Sequence, residues 1–251
     1  MPAEPFARTA LIFATALGST LLGSMSGGSS SLLTTAAWLA LGYPLPIAVA
    51  SDKLAGTLWT IVGARNYLRG RAVDRPLVIG LALAGVGGAY LGARVTIGLD
   101  HAILRRVVGG IIVAVVALVA ARPQFGVEAG PERLPRAAVI GIGVPLGFYE
   151  GLLGSGNSIF ASLLLVGARG FDLIRALGHY YLVASVWCGF SAAVYWSQGF
   201  FEPRLALPAA AGAITGGYLG SRAGSRFGVR VVRGIFVVAG LVLGSKLLIG
   251  W

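Results

Sequence analysis

The chain has 251 residues, 56% hydrophobic and 12% charged, with a formal net charge of +11 and a mean hydropathy of +0.82. Soluble globular domains carry roughly 25% charged residues, and here apolar stretches run over nearly the whole length, which argues against a soluble domain, a single anchor or a signal peptide ahead of a secreted chain. The single Cys188 excludes an internal disulfide and a multi-cysteine metal site, and the arginines sit in short loops between apolar runs, leaving no basic face for nucleic acid.

In chain order, the apolar runs predict helical segments at about 8–25, 28–41, 45–68, 76–95 and 103–121, then about 137–153, 156–169, 172–197, 204–222 and 231–249. A helix needs around twenty residues to cross a bilayer. The second segment of each set is shorter, which predicts a tilted, discontinuous or re-entrant piece. Between the sets lies a linker, 122–136, with Pro123, Pro131 and Pro135. Long runs rich in Ala, Leu and Gly are not the alternating ten-residue segments of a barrel.

The two sets are copies of each other. An offset of 128 residues lays Gly23 on Gly151, Gly28 on Gly156, Ser30 on Ser158, Gly42 on Gly170, Trp59 on Trp187 and Tyr90 on Tyr218. Small residues recur at every fourth position in Gly80, Ala84, Gly88 and Gly92, and again in Gly212, Gly216, Gly220 and Gly224, a pattern for close helix packing. The basic stretches 65–75, 122–136 and 222–233, with Arg169 and Arg175, fall on one side if the second copy starts opposite the first; 94–106 is the exception. The expectation is an all-α polytopic membrane protein of two inverted repeats of about five segments with broken or re-entrant helices: 1–121, a cytoplasmic linker 122–136, and 137–251.

Several of these pieces together resemble one family. They are the break Leu21-Leu22-Gly23-Ser24-Met25-Ser26-Gly27-Gly28, the following Leu41-Gly42-Tyr43-Pro44-Leu45-Pro46, the basic turn Tyr67-Leu68-Arg69-Gly70-Arg71 and the run Gly88-Ala89-Tyr90-Leu91-Gly92-Ala93-Arg94. The second copy repeats them in Gly151-Leu152-Leu153-Gly154-Ser155-Gly156 and Gly217-Tyr218-Leu219-Gly220-Ser221-Arg222. In order, spacing and duplication the chain resembles the sulfite exporter TauE/SafE family of bacterial membrane permeases over nearly its full length. The resemblance implies a multi-pass protein of the cytoplasmic membrane that moves a small organic or sulfur-containing anion, such as sulfite, thiosulfate, a sulfonate or a short carboxylate, with proton coupling. The chain departs from the family pattern at Ser29-Ser30-Ser31 and at Ser51-Asp52, and both departures add polarity.

The breaks also have anion-binding chemistry of their own, because helix starts offer free N–H groups and a positive dipole end. Ser26, Gly27, Gly28, Ser29, Ser30 and Ser31 form one candidate set of donors, and Ser155, Gly156, Asn157 and Ser158 the opposing one; helix capping and tight packing are the structural alternative. Lys53 adds a positive charge for an anion, while Asp52-Lys53 can also be a neutralised pair or a snorkelling rim pair. His179, on the repeat position of Ser51, adjoins Tyr180 and Tyr181, whose hydroxyls can orient an oxyanion. Glu150, His179 and Asp52 are the candidates for carrying a coupling proton, against a satisfied histidine and an interfacial glutamate as the plainer readings. With His101 the other histidine, a metal site is disfavoured, and no cofactor is expected.

Secondary transport by alternating access is the leading expectation, with a small anion and membrane lipids as partners; the sequence leaves open a homo-oligomer. An anion channel or uniporter is the nearest rival. An enzyme lacks a visible nucleophile, base or metal-ligand arrangement, an accessory protein leaves the polar breaks unexplained, and ATP-driven transport would need a partner.

Overall fold

The structure, a computed structural model, describes residues 3–26, 30–96, 110, 113–114, 116–117, 120–121, 126–152, 154 and 156–249. These form α1 (Ala3–Ser26), α2 (Ser30–Ala40), α3 (Leu45–Leu68), α4 (Arg75–Thr96), α5 (Arg136–Gly141), α6 (Gly143–Leu152), α7 (Asn157–Arg169), α8 (Leu173–Ser197), α9 (Pro203–Phe227) and α10 (Val229–Ile249). Phe6–Met25 and the whole of α3, α4 and α8 are long and apolar enough to cross a membrane. The protein is therefore an all-α polytopic membrane protein. Gly27, Gly28, Ser29, Ser155, Arg122 and most of the expected segment 103–121 lie outside the described residues.

Two expectations need correction. The run 137–153 is two helices, because the chain turns at Ile142 between Gly141 and Gly143, and Pro145 has no N–H to offer the carbonyl of Gly141. The stretch 222–233 is mostly helical: α9 continues to Phe227 and α10 begins at Val229, with the change of direction confined to Gly228 at a φ of 82°. Elsewhere helix starts follow local chemistry. Asp172 caps α8 by accepting from the Arg175 N–H at 2.9 Å, and Glu202 caps α9 by accepting from that of Arg204 at 3.1 Å.

The small-residue stripes set the closest packing. A Cβ on Gly212, Gly216 or Gly220 would strike the carbonyls of Phe13, Leu17 or Leu21, so α9 lies backbone to backbone along α1 in the same direction. Gly88 and Gly92 meet the carbonyls of Val144 and Phe148 in the same way, and α4 runs parallel to α6. At the centre, Gly56 meets Cys188, Gly63 meets Tyr181 and Gly178 meets Leu68, so α3 and α8 lie antiparallel. Gly217 against Trp59 and Gly224 against Tyr67 make α9 parallel to α3. The core between them is aromatic: Tyr181 sits edge-on to Trp59 with ring centroids 4.9 Å apart, and Trp187 donates its indole N–H to the carbonyl of Ala82 at 3.0 Å.

Charges gather at the end of the bundle where α3 stops and α4 starts. Asp74 pairs with Arg136 at 3.3 Å and with the buried Arg169 at 3.5 Å, and Arg169 pairs with Glu132 at 2.7 Å. Residues of the linker bind the end of α7 through Gly130 N–H to Gly170 O and Arg133 N–H to Ala168 O. Because α9 is parallel to α3, its basic end lies here too.

Candidate functional site

The break after α6 leaves four terminal carbonyls without intrahelical donors, the usual deficit of a helix end. All four find partners. Tyr149 O accepts from Gly154 N–H at 2.9 Å, Glu150 O from the Lys53 ammonium, Gly151 O from Tyr195 OH at 3.3 Å, and Leu152 O from Thr96 Oγ1 at 2.7 Å. Gly154 and Gly156, at φ 70° and 81°, make the reversal that starts α7 at Asn157, and a Cβ on Gly154 would displace Lys53 Nζ and the Glu150 carboxylate. At Gly154 the room left by the missing side chain is taken by the protein's own lysine.

That lysine organises the site. Lys53, 1% exposed, forms an ion pair with Glu150 Oε1 at 2.8 Å, and Glu150 is itself buried at 4%. Cys188 Sγ donates to the same oxygen at 3.3 Å. Asn157 Nδ2 and Tyr180 OH each donate to Oε2 at 2.8 Å. Four donors from α3, α7 and α8 therefore converge on one carboxylate of α6. Lys53 also faces the negative end of the α6 dipole, while Asn157 brings the positive end of α7 to the carboxylate.

The first break reaches the same place by another route. Thr34 on α2 donates to Asp52 Oδ1 at 2.6 Å, so the Asp52-Lys53 dipeptide has one side chain tied to each half. Neither residue snorkels, and Lys53 pairs with Glu150, 97 positions away, instead of with its neighbour. The end of α1 is held by two tyrosines: Tyr67 OH and Tyr181 OH both donate to Ser24 O, at 2.7 and 3.1 Å. Tyr67 and Tyr195, 128 positions apart, each bind a carbonyl near the end of a helix, Ser24 O in α1 and Gly151 O in α6.

The sequence candidates thus separate. Glu150, Lys53, Asn157 and Tyr180 meet directly, with Asp52 beside them. Ser158 is buried next to Asn157, Ser30 is buried against Gly23 near the end of α1, Ser31 is half-buried, and among the described residues no hydrogen bond joins the two breaks directly. Tyr181 turns away to Ser24. His179 is also elsewhere: Nδ1 lies 2.7 Å from Arg175 O and Nε2 accepts from Asp74 N–H at 2.9 Å, which engages both nitrogens. Among the described residues the buried hydroxyls of Ser51, Ser158, Ser162 and Ser191 have no hydrogen-bond partner. Sequence reasoning passed over Cys188, Thr34 and Thr96; Tyr195 alone had a signal, its repeat relation to Tyr67. A cleft lined by Leu81, Leu146, Leu165, Val183 and Trp187 is apolar apart from Tyr180 and offers an anion little.

The family model described as "Sulfite exporter TauE/SafE" matches residues 11–247. The chain is 25% identical to a Sinorhizobium protein, "Probable membrane transporter protein ORF9", with 95% of this chain and 92% of the relative covered. It is 26% identical to a "Probable membrane transporter protein" of Haemophilus influenzae, 96% of each chain being covered, and 28% identical to "Probable membrane transporter protein YfcA" of Escherichia coli K12, over 95% of this chain and 88% of the relative. No solved structure matches it. With the family match spanning almost the whole chain, this protein belongs to the sulfite exporter TauE/SafE family and is a multi-pass anion transporter of the bacterial cytoplasmic membrane, not an enzyme.

Proposed function

We propose that the protein is a proton-coupled secondary transporter for a small sulfur-containing or carboxylate anion, working by alternating access between inverted repeats, 1–121 and 137–251, joined by a cytoplasmic linker at 122–136. The observation that carries this reading is the buried convergence of Lys53, Asn157, Tyr180 and Cys188 on Glu150 at the meeting of the halves. Intramembrane charges are costly and are kept where ions or protons pass. The inverted arrangement is supported by the antiparallel course of the repeat mates α3 and α8, and by the reciprocal pairings of α1 with α9 and α4 with α6. The basic residues collected around Asp74 favour the cytoplasm for that end.

Lys53, Asn157, Tyr180 and Ser158 in the first turn of α7 form the proposed anion site, and the serine- and glycine-rich breaks that flank it in sequence are assigned to the same anion in this reading. Glu150 and Asp52 are the proton carriers of this reading. His179 and Tyr181 are assigned to holding the scaffold, because their polar atoms are spent on Asp74, Arg175 and Ser24. A fully enclosed and paired cluster favours an occluded transporter site over the continuous wet path of a channel.

The test is ligand-dependent thermal stabilisation of the purified protein by sulfite, thiosulfate, sulfonates, sulfate and short carboxylates. A bound anion at about a hundredfold excess over its Kd stabilises by roughly 2.7 kcal/mol. Stabilisation by one of these classes is the expected result; none by any of them rejects the substrate class.

A further inference from the structure

Lys53, Cys188, Asn157 and Tyr180 satisfy Glu150 as a binding site satisfies an oxyanion. Two donors serve each oxygen, one donor is cationic, and the donors come from three helices while the acceptor comes from a fourth. The glutamate also carries the Lys53 contact on its backbone carbonyl, so the ammonium stays at the end of α6 even when the carboxylate leaves. A free carboxylate, sulfonate or sulfite presents the same kind of oxygens as the side chain now seated there.

We propose that Glu150 is a built-in competitor of the transported anion, occupying its donors when ionised and surrendering them when protonated. This rests on the anion-transport reading above and adds a rule of exclusion to it. Protonation turns the carboxylate into a neutral carboxyl that no longer neutralises Lys53. The entering anion then takes the Lys53 ammonium and the Tyr180, Asn157 and Cys188 donors. One monovalent anion and one proton enter together, and the charge of the cluster is unchanged; a dianion such as thiosulfate enters with the same proton and adds one negative charge. The other groups facing this exchange are Asp52, which keeps its bond from Thr34, and the phenols of Tyr149 and Tyr195; α4 contributes the uncharged Thr96.

The probes are methanesulfonate and thiosulfate, which keep one protonation state from about pH 6 to 8, so that any pH slope in their binding belongs to the protein. Binding is measured by calorimetry on the full-length protein, together with proton uptake in weak buffer. Wild type is expected to lose affinity by about tenfold per pH unit on the alkaline side, because the competent fraction falls by that factor, and to take up one proton per anion. Glu150→Gln is expected to bind more tightly than wild type at the alkaline end, with no pH slope and no proton uptake. Adding Tyr180→Phe to Glu150→Gln should weaken binding by about tenfold or more, the worth of a hydrogen bond to a charged group.

Equal pH slopes in wild type and Glu150→Gln overturn the competitor role while leaving anion transport intact. Failure of both proteins to bind either probe overturns both readings together. Should Glu150→Gln not fold, Glu150→Asp keeps the charge but draws it back from Lys53; tighter anion binding with the slope retained supports the proposal, and equal or weaker binding overturns it.

Discussion

Replacing Lys53 by methionine keeps the length of the side chain and deletes its charge, which leaves the Glu150 carboxylate without its counter-charge in a site where it is 4% exposed. Removing one partner of a buried ion pair costs about 3–5 kcal/mol, chiefly because the remaining charge is uncompensated. The variant also strips the carbonyl of Glu150 of its donor, placing the loss in the upper part of that range. At roughly 2–4 °C per kcal/mol for a chain of this size, the melting temperature in detergent should fall by about 8–20 °C. Changing Glu150 to glutamine in the same molecule removes the stranded charge and should recover most of the fall. Cys188 is the single cysteine and is buried, so its reaction with a thiol dye reports unfolding, with tryptophan fluorescence as the second probe. A Lys53→Met protein melting within about 2 °C of wild type, or a double variant no more stable than the single one, would refute the ion pair as the organiser of the site.

Cysteines introduced one at a time at Arg71 and Arg226 in a Cys188→Ala background should both react with an impermeant reagent from the cytoplasmic side; labelling from opposite sides rejects the inverted topology. Gly216→Leu and Gly88→Leu should each abolish stable folding, since the added side chain meets the backbone of Leu17 or Val144, whereas Gly87→Ala, with open space at its Cβ, should be neutral or gain up to about 1 kcal/mol in a melting assay. His179→Gln should lower stability by about 1–2 kcal/mol through its lost contact to Asp74 or Arg175 and leave the pH profile of flux in proteoliposomes unchanged; an altered profile would return His179 to the coupling machinery.

The scaffold was legible because its packing is written as spacing. Glycines at every fourth position marked the faces where α9 lies on α1 and α4 on α6, and the offset of Trp59 from Trp187 put one tryptophan on each of the two central helices, α3 and α8. The division of α5 from α6 was less visible, since Gly141 and Gly143 flank a single residue within an unbroken apolar run. The site was legible in its parts and not in its pairings. Lys53 and Glu150 lie 97 positions apart and are not repeat mates, so neither periodicity nor symmetry joins them. Sequence adjacency also misled: His179, Tyr180 and Tyr181 are neighbours in the chain, but about 100° of helical rotation per residue sends them to Asp74, Glu150 and Ser24 respectively. Cys188 carried no site signal in the sequence because its role depends wholly on the carboxylate that α6 brings to it.

In the reading proposed above, the Lys53–Glu150 cluster carries an anion together with a proton. It is tested most directly by uptake of sulfite, thiosulfate, methanesulfonate and acetate into proteoliposomes under an imposed proton gradient, with wild type and Lys53→Met compared at equal reconstituted amounts. At least one of these anions should accumulate above its external concentration in wild-type vesicles, collapse when a protonophore is added, and fail to accumulate with Lys53→Met. Accumulation unaffected by the lysine substitution, or no accumulation of any of the four in wild-type vesicles, would contradict the account.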